Sequence, residues 1–144
     1  MTVKQLSVFV ENRPGRLSAV TETLAEAGIN IRAVSIADTK DFGIMRIIVN
    51  DTDKAVAALK ENNFIASAAN VLAVIADDKP GSMANIMKVL YNENISVEYM
   101  YAAFINAQKG MACLILRVDN NEAAETALNE AGCKLISEQE LSEI

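Results

Sequence analysis

The chain has no histidine among its 144 residues, and only two prolines and two cysteines. Lack of histidine removes the side chain most used for acid–base work and metal ligation near neutral pH. No serine or cysteine stands in a recognisable nucleophile turn, no glycine pattern marks a nucleotide loop, and no ligands cluster at metal-binding spacing. The acidic pairs Glu22 with Glu26 and Glu122 with Glu125 fall on what the periodicity makes outer helix faces, where they solubilise. These absences predict a chain that is not an enzyme and carries neither a metal nor a cofactor. Cationic residues are also scarce: 13 Lys and Arg face 19 Asp and Glu, for a formal charge of −6. Nucleic acid is therefore not expected as a partner, because its phosphates demand a cationic face, and the strand-like runs lack stacking aromatics. Long apolar runs are missing too, so neither a signal peptide nor a membrane span is expected, and the reading is cytoplasmic. Cys113 lies in a strand-like run and Cys133 just beyond a helix end, without redox or metal spacing; both read as plain thiols.

What is present begins with those two prolines. Glu11-Asn12-Arg13-Pro14-Gly15-Arg16-Leu17 and Asp77-Asp78-Lys79-Pro80-Gly81-Ser82-Met83 are copies of one pattern, 66 residues apart. Each follows an apolar strand-like run and opens a stretch of helical periodicity, so the pattern is a repeated strand-to-helix turn. With 51% apolar residues, the chain can bury a sizeable core.

In the first half, Gln5 to Val10 reads as strand and Leu17, Val20, Leu24 and Ala27 line one helix face. Gly28 supplies a left-handed cap, and strands follow at 30–37 and 43–50 around a turn at 38–42. Asp51 or Thr52 caps a second helix with Val56 and Leu59 inward, and Phe64 returns to strand. The second half repeats this: strand at 71–76, helix at 81–91 with Met83, Ile86 and Leu90 inward, strands at 95–104 and 111–118, and helix at 121–130. Equivalences run at an offset of 66 through Leu24 with Leu90, 67 at Gly43 with Gly110, and 69 at Leu59 with Leu128. The order β-α-β-β-α-β, twice, predicts an α+β chain of two ferredoxin-like units, residues 1–68 and 69–144, each with its helices on one face of an antiparallel sheet. No linker is evident near residue 68, so the last strand of one unit is expected to run into the first strand of the next. Several strands are apolar on both faces, Leu6, Val8 and Val10 beside Phe9, and Met45, Ile47 and Val49 beside Ile44 and Ile48. Helices cover one face, which predicts a homodimer through the other.

A tight turn before a helix presents unpaired N–H groups and the positive end of the helix dipole, a setting for a carboxylate. Asn12, Arg13, Arg16, Asp78, Lys79 and Ser82 could add hydrogen bonds, and Asp78 could receive an ammonium group, so a zwitterion suits the turn. Pro-Gly is equally a plain helix-starting turn, and a structural turn duplicates as readily as a functional one.

The pattern Asn12-Arg13-Pro14-Gly15, Leu17 through Leu24, then Gly28-Ile29-Asn30-Ile31, with its echo Asp78-Lys79-Pro80-Gly81 through Ile95-Ser96-Val97, resembles the ACT domain, over nearly the whole chain. The resemblance implies a small tandem ACT protein: a non-catalytic regulatory module binding a free amino acid between two units whose edge strands pair into one eight-stranded sheet. By the same resemblance, Asn12, Arg13, Pro14, Gly15, Arg16 and Leu17 would meet Ser96 and Val97, while Asp78, Lys79, Pro80, Gly81, Ser82 and Met83 would meet Asn30 and Ile31. Asn12 stands where family members more often carry an acid, so the two sites are expected to be unequal. Glu98, Tyr99, Met100 and Tyr101 form a second tier, able to read a ligand side chain or simply to pack. The acids Glu138, Glu140 and Glu143 read as a solvated face on a short helix or frayed end. The rival reading is a protein-interaction scaffold with a vestigial ligand site. The identity of the amino acid and any regulated protein partner are not written in the sequence.

Overall fold

The computed structural model describes residues 1–38, 41–104 and 110–143. It divides into two compact units, Lys4–Ala69 and Asn70–Ile144, the latter together with Met1–Val3.

The first unit runs β1 (Val3–Glu11), α1 (Arg16–Glu26), β2 (Ile31–Asp38), β3 (Phe42–Val49), α2 (Thr52–Glu61) and the opening residues of β4 (Ile65–Asp77). Its strands lie in the order β2-β3-β1-β4. The second unit starts from the rest of β4 and continues with α3 (Ser82–Asn92), β5 (Val97–Ala102), β6 (Met111–Val118), α4 (Asn121–Glu130), β7 (Lys134–Leu135) and α5 (Glu138–Glu143). Here β7 and β6 flank β4, and β5 lies outside β6. Both units thus have the ferredoxin-like order. Seven strands occur among the described residues rather than eight, because the 13 residues of β4 form one strand serving both units.

Period-two alternation turns one set of side chains toward the helices in each unit. In the first, Leu6, Val8 and Val10 of β1 and Met45, Ile47 and Val49 of β3 pack with Val20 and Leu24 of α1, Ala55 and Leu59 of α2, and Phe64. In the second, Leu72, Val74 and Ala76 join Leu114, Leu116 and Val118 under Ile86, Leu90, Ala124 and Leu128. Each fully buried leucine stabilises by about 1.5–3 kcal/mol, so these clusters hold the units together. Leu17 and Met83 depart from the inward reading. They lie on the core-facing stripe but in the first helical turn, beyond the sheet's cover, and stay 41% and 45% exposed. Val56 is partly buried, with Ala55 taking the inner place.

The register corrects the repeat alignment. Val8 faces Met45 and Val74 faces Leu114; Leu6 faces Ile47 and Leu72 faces Leu116. The third strands are therefore already offset by 69, and Ala112, not Gly110, matches Gly43. Gly110 instead matches Asp41, since each accepts the N–H that follows the first strand, from Asp78 and Asn12 respectively. The second strands keep the offset of 66, with the same irregularity after Ile31 and Val97. The three extra residues fall in the β5–β6 hairpin, where a glycine on either side invited the wrong match.

All four long helices end on a left-handed residue, and the repeats trade its identity: Gly28 (φ 73) and Asn94 (φ 56), then Asn63 (φ 62) and Gly132 (φ 79). The next N–H in each case reaches back to the last buried leucine, Ile29 to Leu24, Ile95 to Leu90, Phe64 to Leu59 and Cys133 to Leu128, at 2.9 Å. Glycine and asparagine interchange because they tolerate this conformation best. The acidic C-terminal segment is a short helix closed by a reciprocal cap, Ser137 N–H donating to Glu140 Oε2 at 2.8 Å and Glu140 N–H to Ser137 Oγ at 3.2 Å. Those bonds lower the Glu140 pKa, and Leu141 beside it is fully buried.

The faces away from the helices are less open than their composition suggests. Ala33 and Ile48 of the first unit, and Val71, Ala73, Cys113 and Ile115 of the second, are at most 2% exposed within the single chain. Phe9 and Phe42, on the outer face of the first unit, stay 48% and 56% exposed, so apolar surface of the kind behind the dimer expectation is present. Among the described residues, no helix is long and apolar enough to cross a membrane.

Two outcomes follow from these contacts. The Asp51 carboxylate accepts from Lys54 N–H at 3.1 Å, so Asp51→Ala should lower stability by about 1 kcal/mol in urea unfolding. Burial pushes the Cys113 thiol from 9.0 to about 12, so the unfolded chain ionises it first. The resulting stability is intact below pH 9.0 and is lost as pH rises toward 12, by about 1.4 kcal/mol per pH unit. Urea midpoints measured upward from neutral pH should fall less steeply in Cys113→Ala than in the parent.

Candidate functional site

The two kinds of helix start in this chain are built differently. α2 and α4 begin on Asp51 and Asn120, extended residues whose side chains accept from Lys54 and Ala123 N–H. α1 and α3 begin on Gly15 (φ 88, ψ −14) and Gly81 (φ 91, ψ −15), and no side chain caps either. Asn12 and Asp78, the polar residues that could have capped them, do not. Of their first-turn N–H groups, those of Leu17 and Ser18 in α1 and of Met83 and Ala84 in α3 meet no side-chain cap and, with a partial positive charge of about half an electron from the helix dipole, are left to an outside acceptor.

The turn itself is held by its backbone. In the first unit Asn12 N–H donates to Asp41 O at 3.1 Å, Arg13 N–H to Glu11 O at 2.9 Å, and Arg16 N–H to Arg13 O at 3.4 Å. The second unit matches it, Asp78 to Gly110 at 2.9 Å, Lys79 to Asp77 at 2.9 Å and Ser82 to Lys79 at 3.3 Å. Both turns also carry an ion pair to the end of the preceding strand, Arg13 Nε to Glu11 Oε2 at 2.7 Å and Lys79 Nζ to Asp77 Oδ2 at 3.2 Å. These pairs are more than half exposed and contribute little stability, but they occupy the adjacent cations. Asp78 forms no ion pair among the described residues and remains open to an ammonium group.

Beside the first turn lies a cavity of about 70 Å³ lined by Val10, Glu11, Asn12, Arg13, Leu17, Ile36 and Gly43. Gly43 sits across β3 between Val10 and Ile36, and its missing side chain leaves the space open: a Cβ there would lie 3.6 Å from Val10 O and 4.0 Å from Ile36 Cγ2. Val10, Ile36 and Gly43 were not anticipated as lining residues. The signal was the lone glycine opening the strand Gly43 to Asn50, which was read as a repeat marker. The corresponding residues of the second unit are Ala76, Ala102 and Ala112, so the two turns face different surroundings.

Other anticipated residues lie elsewhere. Arg16 is not part of that cavity; its guanidinium packs over the Phe64 ring, 4.9 Å from the centroid. Pro14 and Pro80 shape their turns and are exposed. Asn30 and Ile31, and Ser96 and Val97, stand at the opposite ends of β2 and β5 from the turns of their own units, about seven residues or 23 Å along the strand. Each start is pinned by a reciprocal pair: Asn30 N–H to Asn50 Oδ1 at 2.9 Å, and Ser96 N–H to Asp119 Oδ1 at 3.1 Å. In the second tier, Glu98 is engaged by Arg117 at 3.3 Å, Tyr99 and Tyr101 stack with centroids 6.4 Å apart, and Met100 is partly exposed. Among the described residues no group of three or more His, Cys, Asp or Glu could hold a metal ion.

Residues 1–144 match the family described as ACT domain pair. The chain belongs to that family. Its fold is shared with the crystal structure of a protein from Bacteroides thetaiotaomicron, at 39% identity and a TM-score of 0.93, covering 100% of this chain and 98% of that one. The ACT pair is also similar in fold to the regulatory subunit of aspartate kinase from Thermus thermophilus in its ligand-free form, at 18% identity and a TM-score of 0.63, covering 89% and 91% of the two chains. The corresponding Thermus flavus subunit aligns at 16% identity and a TM-score of 0.61, over 90% and 92%. No curated protein matches the sequence.

The ACT turn's glycine can be tested on its own. Gly15→Ala adds a Cβ that meets nothing within 4 Å, yet φ of 88 strains any L residue. The substitution should cost about 1–2 kcal/mol in urea unfolding with the slope unchanged.

Proposed function

We propose that this ACT pair is a non-catalytic regulatory protein whose Pro-Gly turns bind a free amino acid. The observation that carries the reading is the contrast at the helix starts: two are satisfied by their own side chains, and the two behind Pro-Gly are left to an outside acceptor. An amino acid's carboxylate takes those N–H groups. Its ammonium group goes to Asp78 at the second turn and to the Asn12 amide oxygen at the first, a weaker hold because it is uncharged. Leu17 or Met83 offers apolar surface to the side chain. Asn30, Ile31, Ser96 and Val97 lie too far from their own unit's turn to contribute there, and a ligand that meets them is presented by another ACT unit.

Regulation requires the ligand to favour one of two states of the protein, since equal affinity for both shifts nothing. The likeness to aspartate kinase regulatory subunits is one of fold. Family membership supports the class of function.

The expected outcome is a rise in melting temperature with one or a few of the standard amino acids and none with the rest. Saturation to a hundred times the dissociation constant adds about 2.7 kcal/mol, or roughly 5–10 °C for a chain of this size. Asp78→Asn should reduce the shift, and absence of any shift with every amino acid would refute the reading.

A further inference from the structure

We propose that the first unit carries a second binding site, separate from the turn, for a small monocarboxylate with an aromatic or branched apolar tail. The site is a cavity of about 140 Å³ lined by Phe9, Glu11, Arg16, Phe42, Asn63, Phe64 and Ile65. It lies where β1 ends and β3 and β4 begin, and Glu11 alone among the described lining residues also borders the turn's own cavity. Its volume is close to that of an apolar cavity known to hold benzene, on the order of 150 Å³.

Two features of the lining select the ligand. The walls are apolar and costly to leave wet: Phe9, Phe42 and Ile65 are 48%, 56% and 69% exposed. Among the described lining residues the charge left without an ion pair is cationic. Glu11 is already paired with Arg13 at 2.7 Å, whereas Arg16 Nε is buried without a hydrogen-bond partner among the described residues. A guanidinium held over the Phe64 ring at 4.9 Å keeps its N–H edge for a planar, two-oxygen anion. Among the described residues of the lining no free acid awaits an ammonium group, so an α-amino group is not required.

The second repeat shows that the fold does not demand this combination. By register, Ile75, Ser82, Met111, Cys133 and Lys134 occupy the places of Phe9, Arg16, Phe42, Phe64 and Ile65. The helix start, strand ends and left-handed cap are all retained there, while the arginine and three aromatic rings are gone and the cation is Lys134, on the strand instead of the helix start. Phe64 belongs to the core of the first unit, whereas Arg16, Phe9 and Phe42 are additions that the shared fold does not demand.

The test is a backbone amide titration of the full chain with 3-phenylpropanoate, using 3-phenylpropanamide as the uncharged control. The proposal expects saturable shifts at Phe9, Phe42 and Ile65. Arg16→Gln should weaken 3-phenylpropanoate by about tenfold, bringing it to the level of the amide on the parent protein. Phe42→Met, which installs the second repeat's residue, should weaken both compounds while preserving the preference for the acid. Equal affinity of parent and Arg16→Gln would overturn the proposal. So would shifts confined to Gly15, Leu17 and Ile36, or no saturable shift in the parent.

Discussion

The structure depends most on one backbone constraint, the left-handed glycine that opens α1 and α3. Gly15 and Gly81 hold φ near 90° and let the chain leave a strand and enter a helix within a few residues. An asparagine or aspartate at the helix start, as at α2 and α4, would close that start with its own side chain. Glycine cannot, and the N–H groups are left facing outward. The same choice that makes the turn compact therefore makes it receptive to an anion. Proline one residue earlier restricts the approach and contributes no competing donor.

Around that shared constraint the repeats have diverged in side chains while keeping geometry. Left-handed helix ends exchange glycine for asparagine without changing their hydrogen bonds, which shows selection by φ rather than by residue name. At the turns the divergence changes chemistry instead. The first has Asn12, with Ile36 and Gly43 around a small cavity; the second has Asp78, with Ala102 and Ala112 in the matching places. A neutral amide beside an apolar recess and a free carboxylate beside alanines do not favour the same ligand equally. The two turns are one device with two settings.

Most of the fold was legible in sequence because it is written in local signals: strand alternation, helical spacing, and glycine or asparagine after each helix. What resisted reading was set by neighbours distant along the chain. Leu17 and Met83 fit the inward stripe by spacing, yet the sheet does not extend over the first helical turn, and both remain exposed. The β6 alignment was misplaced by two residues because Gly43 and Gly110 resemble each other, whereas the ladder pairs Ala112 in that role. On the apolar outer strand faces, spacing alone did not separate Ile48 and Ile115, which are buried, from Phe9, which is 48% exposed. For the candidate site, the turn was visible as a repeated motif. Ile36 and Gly43 were not, because they reach Val10 and Leu17 only through the order β2-β3-β1. Arg16 was grouped with its sequence neighbours, although a helix start sends adjacent side chains to different sides.

The central claim is that the uncapped helix starts are where an amino acid binds, and amide chemical shifts during titration with the stabilising amino acid test it most directly. The account predicts the largest saturable changes at Gly15, Leu17 and Ser18 or at Gly81, Met83 and Ala84, with Lys54 and Ala123, whose N–H groups are already capped, unmoved. Saturable binding that leaves all six of those turn amides in place would contradict it.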